Sequence, residues 1–223
     1  MAVSGTLAQA SNPGRHGEES PSTGSRKLIP GKILGAAAEE FIEHGYGSAS
    51  MDLIARRAGV SKATIYAHFE NKEGLFAAII RDACEEMRKT WGSAFGQQTG
   101  LRAALRAVGL TFATFIMAPR TVAVFRVVVS ETRRFPELGR ILYESGPAIG
   151  LGHLAAYLAD AAAKGELVLD DPRRAADQFI AMIRGELYLR AVLGLEGTIA
   201  SSTLEALVDE TVETFMRAFR RPS

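Results

Sequence analysis

Cysteine is nearly absent. Cys84 stands alone among 223 residues. An intramolecular disulfide is excluded, a cysteine-based zinc site is excluded, and the usage suits a reducing compartment. Histidine is scarce as well, and His16, His44, His68 and His153 are not grouped at metal-ligand spacing. No apolar run reaches the roughly 18–20 residues of a membrane span, and no charged-then-apolar leader pattern opens the chain. The expectation is a cytoplasmic protein with no membrane partner, no metal and no cofactor. Charge of one sign is lacking too. The formal net charge is +1, so any argument for a nucleic-acid partner must come from local placement. Period-two alternation never extends over a strand's length, and Leu167-Val168-Leu169 is too short to change the class. What is present is 47% hydrophobic and 23% charged residues, enough for a sizeable core.

Residues 1–25 are rich in Ser, Gly, Pro, Ala and Thr without apolar periodicity, and read as a disordered tail. From Pro30 onward the pattern is helical. Ile33, Leu34, Ala37, Ala38 and Phe41 form one apolar stripe; Pro30 or Gly31 opens this helix and Gly45 closes it. A short helix from about Met51 to Ala58, a turn at Gly59-Val60 and a second short helix from Ser61 to Phe69 follow. Asn71 caps a longer helix from Lys72 to about Phe95. Further helices are expected at roughly 101–117, 120–133, 136–163, 172–194 and 201–220, with Ser145-Gly146-Pro147 kinking or splitting the third of these. The fold class is all-α. The expected domains are a three-helix helix-turn-helix unit at 26–72 and a larger helical domain at 73–223.

The stretch from Ser50 to Leu75 carries the functional signal. Ser50 caps a helix whose Met51, Ile54, Ala55 and Ala58 share one face. Gly59 supplies a left-handed stop, Val60 anchors the turn and Ser61 caps the next helix. Leu53 falls off the buried face, and the pattern does not account for it. In the second helix Ile65 and Phe69 point inward. Ala63, Thr64 and Ala67 lie on the opposite face, flanked by Lys62 and Tyr66 on one side and His68 on the other. Small residues fringed by donors suit a helix in a major groove: alanine meets a thymine methyl and lysine reaches guanine acceptors. Lys72, at the start of the following helix, is placed to attract a phosphate. Two short packed helices with no DNA role would give no reason for Tyr66 and His68 to be exposed beside small residues.

The run AAAEEFIEHGYGSASMDLIARRAGVSKATIYAHFENKEGLFAAII resembles the N-terminal domain of the TetR family of transcriptional regulators. Gly45-Tyr46, Ile54-Ala55, Ala58-Gly59-Val60-Ser61, Thr64-Ile65-Tyr66, His68-Phe69 and Asn71-Lys72-Glu73 carry the match. Glu131-Thr132-Arg133-Arg134-Phe135-Pro136-Glu137-Leu138 with Gly146-Pro147 resembles the subgroup related to AefR. The resemblance implies an all-α homodimer that binds a double-stranded operator and is released by a small molecule bound in its C-terminal domain. It implies base contacts from Lys62 and Ala63, and phosphate or edge contacts from Ser50, Thr64, Tyr66, His68 and Lys72. Ser61 and Ala67 complete the expected DNA-binding set.

For the second domain, Trp91, Phe95, Phe112, Phe115, Phe125, Tyr143 and His153 are candidates for a ligand pocket, although aromatics at helical spacing also make plain core. Arg126, in an apolar run, is either a buried orienting charge or an edge residue. The last two helices carry apolar stripes that include Phe179, Met182, Leu187, Leu204, Val208 and Phe215. The resemblance implies a dimer interface there, and burial within one chain fits the same pattern. Cys84 reads as an inert packed residue. The competing functions are an activator, an effector-independent regulator or a helical enzyme. For the enzyme no nucleophile–base pair, Glu-x-x-His metal pair or phosphate loop is found.

Overall fold

The computed structural model describes residues 23–97 and 100–220, and within these the side chains of all but 23–29, 86–88, 90 and 92–97. The described residues form ten helices: α1 (Thr23–Ser48), α2 (Met51–Ala58), α3 (Lys62–His68), α4 (Lys72–Gln97), α5 (Leu101–Met117), α6 (Pro119–Glu131), α7 (Pro136–Ser145), α8 (Pro147–Ala163), α9 (Pro172–Leu193) and α10 (Ser201–Phe219). The all-α class holds. Leu167 makes an isolated bridge to Arg220. Residues 1–22 of the expected tail lie outside the described residues.

One boundary differs from the sequence expectation. Helix α1 starts at Thr23, so Thr23–Ser25 are helical and Pro30 lies inside the helix rather than in its first turn. Gly45 stops the regular helix as expected, with φ 74° and ψ 163°, and Tyr46 to Ser48 form a separate turn beyond the kink. Only glycine adopts that backbone conformation without strain. The expected break at Ser145-Gly146-Pro147 does split the long segment into α7 and α8. Proline at the first position of α8 lacks the N–H that would bond back into α7.

Two apolar clusters organise the packing. One joins α1, α2 and α3 to the first half of α4 and to Val127, Val128 and Leu138 of α6 and α7. The expected boundary at 72/73 therefore falls just before residues such as Leu75, Phe76 and Ile80 that complete the N-terminal core. The other cluster is built from α5, α8, α9 and α10 with Trp91. Phe179, Leu204, Val208 and Phe215, expected at a dimer interface, are buried in it at 0%, 6%, 1% and 0% exposure. They are core residues of this chain, because α10 packs on α5 and α9 and encloses them. Met182 and Leu187 are half-buried and pack against the same cluster. Arg126 is exposed, and its guanidinium donates to the Ala191 and Val192 carbonyls at 2.6 and 2.7 Å. It thus ties α6 to the C-terminal end of α9, where a cation is favoured.

Candidate DNA-reading surface and ligand cavity

The α2–α3 corner is fixed by its own sequence. The Ser50 hydroxyl accepts from the Leu53 N–H at 3.5 Å. At the other end of α2, Gly59 sits in the left-handed region with φ 67° and ψ 35°. Its N–H reaches the Arg56 carbonyl at 3.2 Å, and the Val60 N–H reaches Ala55 at 3.0 Å. These two bonds satisfy carbonyls that the helix end would leave unpaired. The Ser61 hydroxyl then caps α3, accepting from the Thr64 N–H at 3.0 Å and pairing with the Thr64 hydroxyl at 2.8 Å. Ile65 is fully buried and anchors α3 to the core. Ser61, Lys62, Ala63, Tyr66, Ala67 and His68 are exposed, and Thr64 is half-buried. The surface expected to face DNA is therefore assembled on one side of α3.

Lys62 and Ser50 also have partners that local spacing does not reveal. The Lys62 ammonium pairs with Asp52 on α2 at 3.0 Å, with both side chains about half exposed. Glu40 is fully buried on α1 and accepts from the Ser50 N–H at 3.1 Å. It fixes the first residue of the helix-turn-helix. The His44 and Arg57 side chains lie 3.4 and 3.6 Å from its other oxygen. The signal for Glu40 was present, since it falls three residues after Ala37 and seven after Ile33, on the buried stripe.

Lys72 departs from the expectation of a side chain free for phosphate. Its ammonium donates to the Gly47 carbonyl at 3.2 Å and to the Ala49 carbonyl at 2.8 Å. It also lies 4.9 Å from the Tyr46 ring centroid. Burial lowers its pKa, and Glu131 opposes that shift. Two of its three N–H donors are thus committed to the α1–α2 turn. Asn71 caps α4 as expected, accepting from the Gly74 N–H at 2.7 Å.

The same turn is gripped from the C-terminal side. The Glu131 carboxylate, at the end of α6, accepts from the Gly47 N–H at 3.4 Å. Phe135, between α6 and α7, meets Tyr46 edge-on at 5.0 Å. A side chain at Gly45 would come within 2.8 Å of the Glu131 carboxylate, which is a second reason for glycine there. Burial, with Glu73 and Glu137 nearby, pushes the Tyr46 hydroxyl far above its ordinary pKa and keeps it protonated.

Helices α6 and α7 also wall a cavity of about 400 Å³. Trp91, Phe112, Phe115, Phe125 and Tyr143 of the expected pocket set line it. The side chain of Phe95 lies outside the described residues. His153 does not line the cavity; α8 turns it to the surface, where it is exposed. Arg120, Thr121, Asp177, Arg184 and Tyr188 supply polar groups that helical spacing does not single out. They come from two helices more than fifty residues apart, and no local pattern joins them. Cys84 is buried and lines the cavity beside Gly146. Arg120 also donates to the Gly35 carbonyl on α1 at 3.4 Å.

Residues 33–79 match the model of the tetR family of bacterial regulatory proteins, and residues 103–221 match that of the AefR-like transcriptional repressor C-terminal domain. The chain is 38% identical over 109 residues to the HTH-type transcriptional activator FasR of Mycolicibacterium smegmatis. That match takes in 46% of this chain and 50% of FasR, so the chain spans half the length of that relative. It is 29% identical over 199 residues to the HTH-type transcriptional regulator BetI of Rhizobium meliloti, covering 89% of this chain and 94% of BetI. Among solved structures, the flavonoid-responsive regulator FrrA superposes with a TM-score of 0.70 at 36% identity, covering 88% of this chain and all of FrrA. A capped helix-turn-helix with an open reading face, joined to a helical domain and matched along both parts, makes this chain a DNA-binding transcriptional regulator of the TetR family.

Proposed function

We propose that the protein is a repressor that holds an inverted-repeat operator as a homodimer and is released when a small molecule fills the cavity. The observation that carries this reading is the double duty of α6 and α7. They wall the cavity, and at their junction Glu131 and Phe135 grip the α1–α2 turn from which the helix-turn-helix starts. A ligand that shifts these helices acts on α2 and α3 directly. Close-packed cores switch between discrete packings rather than deforming smoothly. The matching C-terminal model describes repressors, and FrrA is described as responding to flavonoids.

On the DNA side, Lys62 and Ala63 read base edges and Ala67 meets a thymine methyl. Ser50, Ser61, Thr64, Tyr66, His68 and the remaining N–H of Lys72 hold phosphates or groove edges. One seven-residue helix makes few contacts, and a two-fold dimer doubles them on a palindromic site. The surface that suits the dimer is the C-terminal end of α9. There Leu189, Leu193 and the following Leu195 are 56%, 63% and 63% exposed, and burying them against a second copy removes apolar area from water. Among the described residues no single helix is long and apolar enough to cross a membrane, and a DNA-bound regulator works in the cytoplasm.

The test combines a gel shift on DNA flanking the protein's own gene with a transcription reporter. Linkage requires that any cavity ligand that weakens DNA binding be weakened by DNA to the same factor. Cavity ligands that leave operator affinity unchanged would leave an effector-independent regulator. FasR, named as an activator, favours a second reading in which the bound form raises transcription. The reporter separates the two by sign.

A further inference from the structure

The cavity is chemically uneven. Trp91, Phe112 and Ile116 are buried and apolar and form its inner wall. Charge is confined to three exposed lining residues, Arg120 on α6 and Asp177 and Arg184 on α9. Two guanidinium groups thus stand against one carboxylate. Neither arginine has an ion-pair partner among the described residues. By contrast, Arg106 is paired with Asp209 and Arg190 with Glu196.

Arg184 is held in a particular way. Its guanidinium carbon lies 5.8 Å from the Phe112 ring centroid, over the aromatic wall. Its charge also reaches Tyr188, where burial raises the hydroxyl's pKa and Arg184 opposes the rise. A guanidinium lying over a ring keeps the N–H donors of its edge available, in a fork that matches a carboxylate. The contact with the ring limits the guanidinium's range and reduces the freedom lost when an acid docks.

Resting on the reading of this cavity as the effector site, we propose that its ligand is an amphipathic molecule with one acidic end. Arg184 receives that end, Arg120 adds positive charge to the cavity lining, and the apolar body lies against Trp91 and Phe112. Asp177 disfavours a second negative group. A cationic ligand is disfavoured, because it would meet two guanidinium groups for one carboxylate.

The chain's one tryptophan is Trp91, so its fluorescence reports entry into the cavity. The test uses the full-length protein and three probes of nearly equal shape: 6-phenylhexanoate, 6-phenylhexanamide and 6-phenylhexylammonium. Calorimetry and Trp91 fluorescence give the affinities. The acid should bind about tenfold tighter than the amide, as a charge-assisted pair with guanidinium allows, with the ammonium weakest. Arg184→Gln should erase the gap between acid and amide, Arg184→Lys should restore part of it, and Asp177→Asn should widen it. Circular dichroism of each variant shows that these exposed-residue changes leave the fold intact. Equal binding of acid and amide with a clear Trp91 response would overturn the acidic-ligand proposal and leave the effector site standing. An ammonium that binds tightest would do the same and assign the charge recognition to Asp177. If no probe binds and Trp91 stays unchanged, both the proposal and the effector-site reading fall.

Discussion

Lys62 leads the reading helix, yet in the free protein its ammonium is paired with Asp52 at 3.0 Å. A base contact must therefore exceed that pair. Both side chains are about half exposed, and exposed pairs contribute roughly 0.2–1 kcal/mol. A well-placed contact to a base edge contributes about 1–3 kcal/mol of discrimination. On these magnitudes the base contact should win, and Lys62 is expected to leave Asp52 on binding. The net loss in Lys62→Ala should be about 1–2 kcal/mol per half-site, after the pair is subtracted, and preference should relax at one or two base pairs. Asp52→Asn should act oppositely and without sequence preference. It frees Lys62 and removes an anion beside the phosphates, raising affinity by up to about fivefold. Binding of wild type, both single variants and the double variant to a randomised operator library, at two salt concentrations, measures all of this. The double-mutant cycle isolates the pair. If Lys62→Ala weakens all sequences evenly and leaves base preference untouched, Lys62 is a phosphate contact. Specificity then lies in Ala63, Ala67 or DNA shape.

Four further outcomes are expected. Lys72→Ala removes two charge-assisted bonds to the α1–α2 turn, so it should lower stability by about 1–3 kcal/mol in urea as well as weaken DNA binding; an unchanged urea midpoint would return Lys72 to a pure phosphate role. Gly45→Ala forces a side chain into a backbone region with φ 74°, and thermal or urea unfolding should show a loss of about 1–3 kcal/mol, with weaker operator binding at temperatures where the protein stays folded. Phe215→Ala should cost about 3–5 kcal/mol, because the ring is fully buried in its own chain. Leu193→Glu, 63% exposed, should keep the melting temperature at matched monomer content and shift sedimentation toward monomer; a stable dimer of Leu193→Glu would move the interface elsewhere.

Features that depend on neighbours a few residues apart are legible in the amino-acid order. Apolar spacing placed the helices, Ser50, Ser61 and Asn71 marked helix starts, and Gly59 marked the left-handed stop of α2. The exposed face of α3 followed from angle alone, because a helix fixes 100° per residue whatever surrounds it. Tertiary structure decided what depends on distant partners. Apolar stripes on α9 and α10 read alike whether they meet another helix of the same chain or a second copy, since burial is the same chemistry in both. Only the packing of α10 on α5 and α9 made Phe179, Leu204, Val208 and Phe215 core and left Leu189 and Leu193 outside. Gly47 and Glu131 are 84 positions apart, and no local pattern joins them. The cavity has no sequence signature, because it is the space left where several helices fail to close. That is why its aromatic lining was legible while Arg120, Asp177 and Arg184 were not: an aromatic residue on a helix stripe announces burial, whereas a charged residue at a rim looks like any solvated surface until the fold brings α6 and α9 together around Phe112.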